Sequence, residues 1–198
     1  MMTSPKDHPE ILPADFQNMF VQFQDQLKSY LFRITTNQLD AEDLAQETYI
    51  KAVNNLDGFH GKSSLKTWVF TIATNLARDR LRTQRRWQED AQDCCRETTR
   101  SSPQRVARMR DIVAQSPADL YEFQEHVDFC FTCLAKTLKI EQQLVLILKE
   151  IYDFKISEIM TIVQLSEGQV KYTLSQARHI MTDIFDRRCA LVNQQGVC

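Results

Sequence analysis

The stretch Asp40–Arg82, DAEDLAQETYIKAVNNLDGFHGKSSLKTWVFTIATNLARDRLR, divides into an acidic helix-forming half, a glycine-bearing loop and a basic helix-forming half. Asp40 stands where an N-cap would, with acidic residues behind it to complement the positive end of the helix dipole. Glu42, Asp43, Gln46 and Glu47 then share one face. Taken alone, an acidic face reads as solvated surface; it also suits docking of a basic partner. Asp40 to Asp57 holds five acidic residues and one Lys, whereas Lys62 to Arg86 holds seven Lys or Arg and one acidic residue, Asp79. Segregation of charge by element predicts two different partners for adjacent surfaces.

The loop puts Phe59, Lys62, Ser63, Ser64 and Lys66 beside Gly58 and Gly61, with Thr67 and Trp68 opening the next helix. An aromatic ring, hydroxyl donors and cations are the groups needed to hold unstacked bases and their phosphates. In that helix Leu65, Val69, Ile72 and Leu76 form a core stripe. Thr71, Asn75, Arg78, Arg82 and Arg85 form a second stripe, in which polar donors grade into guanidinium groups suited to phosphate contact.

Outward from this stretch, the 198-residue chain is 43% hydrophobic and 25% charged, a composition that disfavours disorder. Only four Gly and five Pro interrupt it, which predicts an all-α chain. The longest apolar run, Leu144 to Leu148, is far short of the roughly 18 residues a membrane-spanning helix needs, and Met1 to Pro13 carries no signal-peptide pattern. No membrane insertion and a cytoplasmic location are expected. The net charge of −2 argues against indiscriminate coating of nucleic acid, so DNA contact has to come from local basic surfaces. Two small helical domains are expected, 1–90 and 121–188, joined by a flexible linker at 91–120 and followed by a Cys-containing tail at 189–198.

In the second block, Ile156, Ile159 and Val163 make one short apolar stripe, and Val170, Leu174 and Ala177 make another after a break at Gln164 to Ser166. This pattern predicts two short helices meeting at a tight turn. Ser166 with Gln169 is a capping-box pattern that fixes the start of the second helix. Its exposed side would carry Gln169, Lys171, Tyr172, Ser175 and Arg178, long polar and basic side chains of the kind a recognition helix uses on base edges and phosphates. An ordinary helical hairpin is the plainer reading of the same pattern.

Over its whole length Asp40–Arg82 resembles conserved region 2 of the extracytoplasmic-function (ECF) sigma factors, and SEGQVKYTLSQAR, Ser166–Arg178, resembles the end of their region 4. The resemblance spans about 15–86 and 121–188, and implies a sigma region 2 helical bundle and a region 4 helix-turn-helix. It implies that Asp40, Glu42, Asp43, Gln46 and Glu47 dock on core RNA polymerase. It also implies that Phe59 to Thr67 captures an extruded base of the −10 element, that Thr71, Asn75, Arg78 and Arg82 grip the duplex edge beside Trp68, and that Ser166, Glu167 and the residues to Arg178 lie in the −35 major groove. Core polymerase and promoter DNA are the implied partners, with an anti-sigma factor as a further one. Lys171 is followed by Tyr172 and Thr173 where many relatives carry a small residue and then Arg, so a −35 preference does not transfer.

His126, Cys130 and Cys133 stand at helical spacings of four and three, and with Cys189 or Cys198 they offer ligands for one zinc ion. Cys130 equally fits the apolar stripe of Phe123, Val127, Leu134 and Leu138 as a small hydrophobe, and the resemblance requires no cofactor. Cys94 and Cys95 in the linker have no assigned role. No Gly-rich phosphate loop, catalytic triad spacing or paired-carboxylate site is evident, so an enzyme is not expected. The competing class is a helix-turn-helix regulator that binds duplex DNA without polymerase; the net charge and the acidic face weigh against it.

Overall fold

The computed structural model describes residues 12–83 and 137–188. Every regular element among them is helical: α1 (Pro13–Val21), α2 (Gln24–Thr35), α3 (Gln38–Asn54), a 3-10 turn (Leu56–Gly58), α4 (Leu65–Thr83), α5 (Ile140–Glu150), α6 (Ile156–Val163) and α7 (Glu167–Arg188). The expected linker, the Cys tail and the candidate metal ligands His126, Cys130, Cys133 and Cys189 lie outside the described residues. Among those described, no helix is long and apolar enough to cross a membrane.

In the unit that holds α1 to α4, proline at the start of α1 supplies a preset φ where no N–H partner is needed. α2 ends because Thr36 takes a left-handed conformation, φ 52°, and its N–H returns to the Phe32 carbonyl. The chain is extended again at Asn37, whose side chain accepts from the Asp40 N–H at 3.1 Å and so caps α3. This corrects the expectation for Asp40: that residue lies inside the first turn, and its carboxylate pairs with Arg80 of α4 at 3.1 Å. The cap falls three residues earlier because the αL turn delivers Asn37, not Asp40, in the extended geometry a cap needs.

The core of this unit sets aromatic rings among aliphatic side chains. Phe16, Leu27, Tyr30, Leu31, Ile34, Val69, Phe70, Ala73 and Ala77 have no exposed surface. Alanines at 41, 45 and 52 on the inner side of α3 are buried, which brings its backbone close to its neighbours. The Tyr30 hydroxyl and Thr74 Oγ1 lie 2.7 Å apart across the α2–α4 contact, and Thr74 also donates to the Phe70 carbonyl at 2.7 Å. In α4 the expected stripe is half right: Val69 and Leu76 are buried, but Leu65 and Ile72 are only half-buried and Phe70 takes the central place. Ile147–Val170 groups with this unit as well. Phe154 packs on Phe70 in a tilted contact, centroids 5.0 Å apart, and Tyr152 meets Tyr30 edge-on at 5.8 Å.

In the other unit, the described part of α7 buries Leu174, Ala177, Met181 and Ile184, a 3-4-3 stripe. α7 runs for 22 residues, so the second helix of the turn is long where two short helices are expected from the sequence. The stripe continues past Ala177 without a break, which is why the helix does.

Replacing Tyr30 with Phe removes the hydroxyl but leaves Thr74 its backbone acceptor. Urea unfolding is expected to show a loss of about 1 kcal/mol, against about 2–5 kcal/mol for Leu31→Ala, which opens a cavity.

Candidate nucleic-acid and polymerase interface

On α3 the helical repeat sets Leu39, Asp43, Gln46 and Ile50 within one narrow stripe, with Glu42 and Glu47 on its two flanks. All four are exposed, and the two apolar members show 73% and 49% of their surface. Leu39 and Ile50 are the residues that reading for charge misses; the signal was an apolar pair on the polar side of an amphipathic helix. Asp40 differs from its predicted companions, because its side chain is 13% exposed and turned to Arg80. Glu47 pairs with Lys51 at 3.3 Å, and Glu42 accepts from Gln38 at 2.6 Å, both at the surface. A groove of about 550 Å³ opens beside this face, floored by Phe20, Ala45 and Tyr49 and edged by Val21, Glu42 and Gln46. The surface therefore combines acceptors with exposed apolar anchors, the composition of a protein-binding patch.

The loop after α3 turns through Gly61, whose φ of 65° suits a residue without Cβ. Phe59 packs on Trp68 with ring centroids 5.4 Å apart, and both rings remain half-exposed. His60, Lys62 and Ser64 are exposed around them. Ser64 caps α4: its Oγ accepts from the Thr67 N–H at 3.0 Å and lies 2.8 Å from the Thr67 hydroxyl. Ser63 is half-exposed beside it. The loop thus holds an open aromatic pair, hydroxyls and a cation in one place.

On α4, Thr71, Asn75 and Arg78 are half-buried and Arg82 is exposed, with Asp79 3.8 Å from its guanidinium. Thr67 is buried completely. Lys66 lies against aromatic rings, 4.9 Å from the Phe154 centroid. The predicted set is thus brought onto one helix, and part of it is engaged within the chain.

Gln164 takes the left-handed conformation, φ 59°, and ends α6. The capping box at the start of α7 forms: the Gln169 N–H reaches Ser166 Oγ at 3.3 Å, and Gln169 Oε1 accepts from the Ser166 N–H at 2.9 Å. Ser166, Glu167, Gln169, Lys171, Tyr172, Ser175 and Arg178 are all exposed, Tyr172 by 68%.

Residues 19–87 match the family model Sigma-70 region 2. The chain is 32% identical over 165 residues to the RNA polymerase sigma factor YlaC of Bacillus subtilis, covering 82% of this chain and 87% of that protein. It is 30% identical to the ECF RNA polymerase sigma factor EcfG of Rhodopseudomonas palustris, covering 77% and 75% of the two. The chain belongs to the ECF RNA polymerase sigma factors. Against the ECF sigma factor SigG of Mycobacterium tuberculosis it is 31% identical over 83% of its own length, and it spans about half of that protein, 47%. The fold is shared with the sigma factor RpoE of Bartonella quintana, solved in complex with the anti-sigma factor NepR, at a TM-score of 0.59, 22% identity and coverage of 87% and 97%. It is shared with CnrH in complex with the cytosolic domain of CnrY at a TM-score of 0.60, 17% identity and coverage of 88% and 90%. For this sigma-family chain, Ser166→Ala is expected to cost about 1 kcal/mol in urea unfolding through loss of the cap. Asp43→Arg, on the exposed face of α3, is expected to stay within about 0.5 kcal/mol of the parent.

Proposed function

We propose that the chain acts as a sigma factor, binding core RNA polymerase through the outer face of α3 and directing promoter recognition, melting and transcription initiation. The observation that carries this reading is the pairing, in one unit, of an acidic and apolar outer face on α3 with an open aromatic and cationic loop leading into α4. The first suits a basic protein helix, and the second suits a nucleic-acid strand.

In this mechanism Leu39 and Ile50 anchor the polymerase contact, while Asp43, Gln46 and Glu47 orient it. The Phe59–Trp68 pair receives a base leaving the −10 duplex, with Lys62 and Ser63 on the strand backbone. Unstacking a base costs a few kcal/mol, and stacking on an aromatic returns about 1–3 kcal/mol. The loop alone therefore comes close to balance, and melting depends on the additional contacts that polymerase brings. Thr71 and Asn75 meet the duplex edge, and Arg82 a phosphate. Ser166 to Arg178 enter the −35 major groove, with the capped first turn of α7 aimed at the bases. No step calls for a cofactor. We assign the −10 and polymerase functions to 1–90, the −35 function to 121–188 and a tether to 91–120, all operating in the cytoplasm. The complex that RpoE forms with the anti-sigma factor NepR supports an anti-sigma factor as a further partner.

The test is transcription from fragmented genomic DNA by bacterial core polymerase with and without the protein. Discrete transcripts that require it and vanish with the double change Asp43→Arg, Glu47→Arg are expected; duplex binding without transcripts overturns the reading. In promoter-complex titrations, Arg82→Ala is expected to reduce the slope of log affinity against log salt by about 0.9, the value for one phosphate that the protein no longer neutralises. Lys62→Ala is expected to slow strand opening, read by permanganate footprinting, more than it weakens initial binding.

A further inference from the structure

The outward face of α7 has an order that charge alone does not explain. Leu174, Ala177, Met181 and Ile184 form its buried stripe, and at about 100° per residue Tyr172 falls nearly opposite the midline of that stripe. Gly168, one turn earlier on the helix, and Ser175, one turn later, lie within about 60° of each other on either side of the same line, and all three are exposed. A Cβ at Gly168 would meet nothing within 4 Å, so packing does not call for a glycine there, and glycine is a poorer helix former than alanine. Its effect is on the ring: Tyr172 stands between two small residues with 68% of its surface exposed. Among the described residues no hydrogen bond or ring contact engages it. The flanks of this line differ. Lys171 and Arg178 share one side and are exposed. On the other side Gln169 commits its carbonyl oxygen to the helix cap, accepting from the Ser166 N–H and from the Ser166 hydroxyl at 2.9 Å each. It therefore lacks the acceptor half of the bidentate pairing by which a glutamine reads adenine.

We infer that Tyr172 is a specificity-determining residue of the −35 contact and that the base it selects is thymine. The inference rests on the reading of α7 as the −35 helix. A helix seated in the major groove with Lys171 and Arg178 toward one row of phosphates turns the middle of its outward face to the base edges. On that floor the C5 methyl of thymine is the apolar group on offer, and the remaining edges present hydrogen-bond donors and acceptors. The phenol ring is a large apolar body standing clear of its neighbours, so it covers a methyl group and gains nothing from a bare polar edge. The missing side chain at Gly168 lets the first turn of the helix come close to the bases, which brings the ring one turn later within reach of the floor. The selection uses the ring and not the hydroxyl.

The test is selection of binding sequences from a randomised duplex library by holoenzyme assembled from bacterial core polymerase and the full chain, with parallel selections by core alone and by the chain alone. The parent is expected to enrich a motif with a strongly preferred thymine. Tyr172→Ala is expected to lose the preference at that position and keep the rest of the motif, whereas Tyr172→Phe is expected to keep all of it. A second measurement needs no variant. Replacing that thymine with deoxyuridine deletes only the methyl group, and is expected to weaken binding by the parent about fourfold, the worth of one buried methyl. The same replacement is expected to leave binding by Tyr172→Ala unchanged. One motif shared by the parent and Tyr172→Ala, or no loss by the parent on the deoxyuridine duplex, overturns the inference. Dependence on core scores the sigma reading separately. A thymine motif that the chain selects by itself, that core does not use and that Tyr172→Ala erases, defeats the sigma reading and leaves the role of Tyr172 standing. A core-dependent motif indifferent to Tyr172 does the reverse, and enrichment in no arm defeats both.

Discussion

Phe70 is the residue around which the described N-terminal unit is organised. It has no exposed surface, and its ring meets those of Phe154 at 5.0 Å, Tyr30 at 5.2 Å, Tyr152 at 6.3 Å and Phe23 at 6.4 Å. Aromatic pairs of this kind add about 0.5–1.5 kcal/mol each beyond the area they bury. A ring with four ring neighbours leaves little freedom to the helix that carries it. The angular position of α4 is set there, and with it the direction of every other side chain on that helix.

Two consequences follow along the chain. The polar stripe of α4 is fixed relative to the loop that precedes it, so the Phe59–Trp68 pair and Arg82 belong to one helix origin, with Ser64 pinning the first turn. α3 packs its alanine face into the unit and pairs Asp40 with Arg80 of α4, which leaves Leu39, Asp43, Gln46 and Ile50 outward. The ion pair is partly exposed and contributes modestly; the alanines do more, because each allows close backbone approach. An apolar face facing in and a mixed face facing out are thus two results of one packing constraint.

The same ring links α4 to Tyr152–Val163. Phe154 meets Phe70 beside Lys66, and α6 reaches Thr67 through Glu158 and Arg78 through the Val163 carbonyl. Packing that completes the core therefore also engages Lys66, Thr67 and Arg78 within the unit.

Much of this was legible in the residues themselves. Helical periodicity, scarce Gly and Pro, and opposite charge on adjacent elements determined an all-α chain, an acidic α3 and a basic α4, because these depend on spacing within about one turn of a helix. The Ser166–Gln169 cap was legible for the same reason. Only the tertiary structure decided between Asn37 and Asp40 as the cap of α3, since both have the chemistry and the αL turn at Thr36 selects the one with the geometry. It also decided that Phe70, not Ile72, fills the centre, and that Leu39 and Ile50 stay outside. The hold of Glu158 on Thr67 joins residues 91 positions apart; no local pattern encodes such a contact, because it exists only when separate helices compete to bury the same aromatic ring.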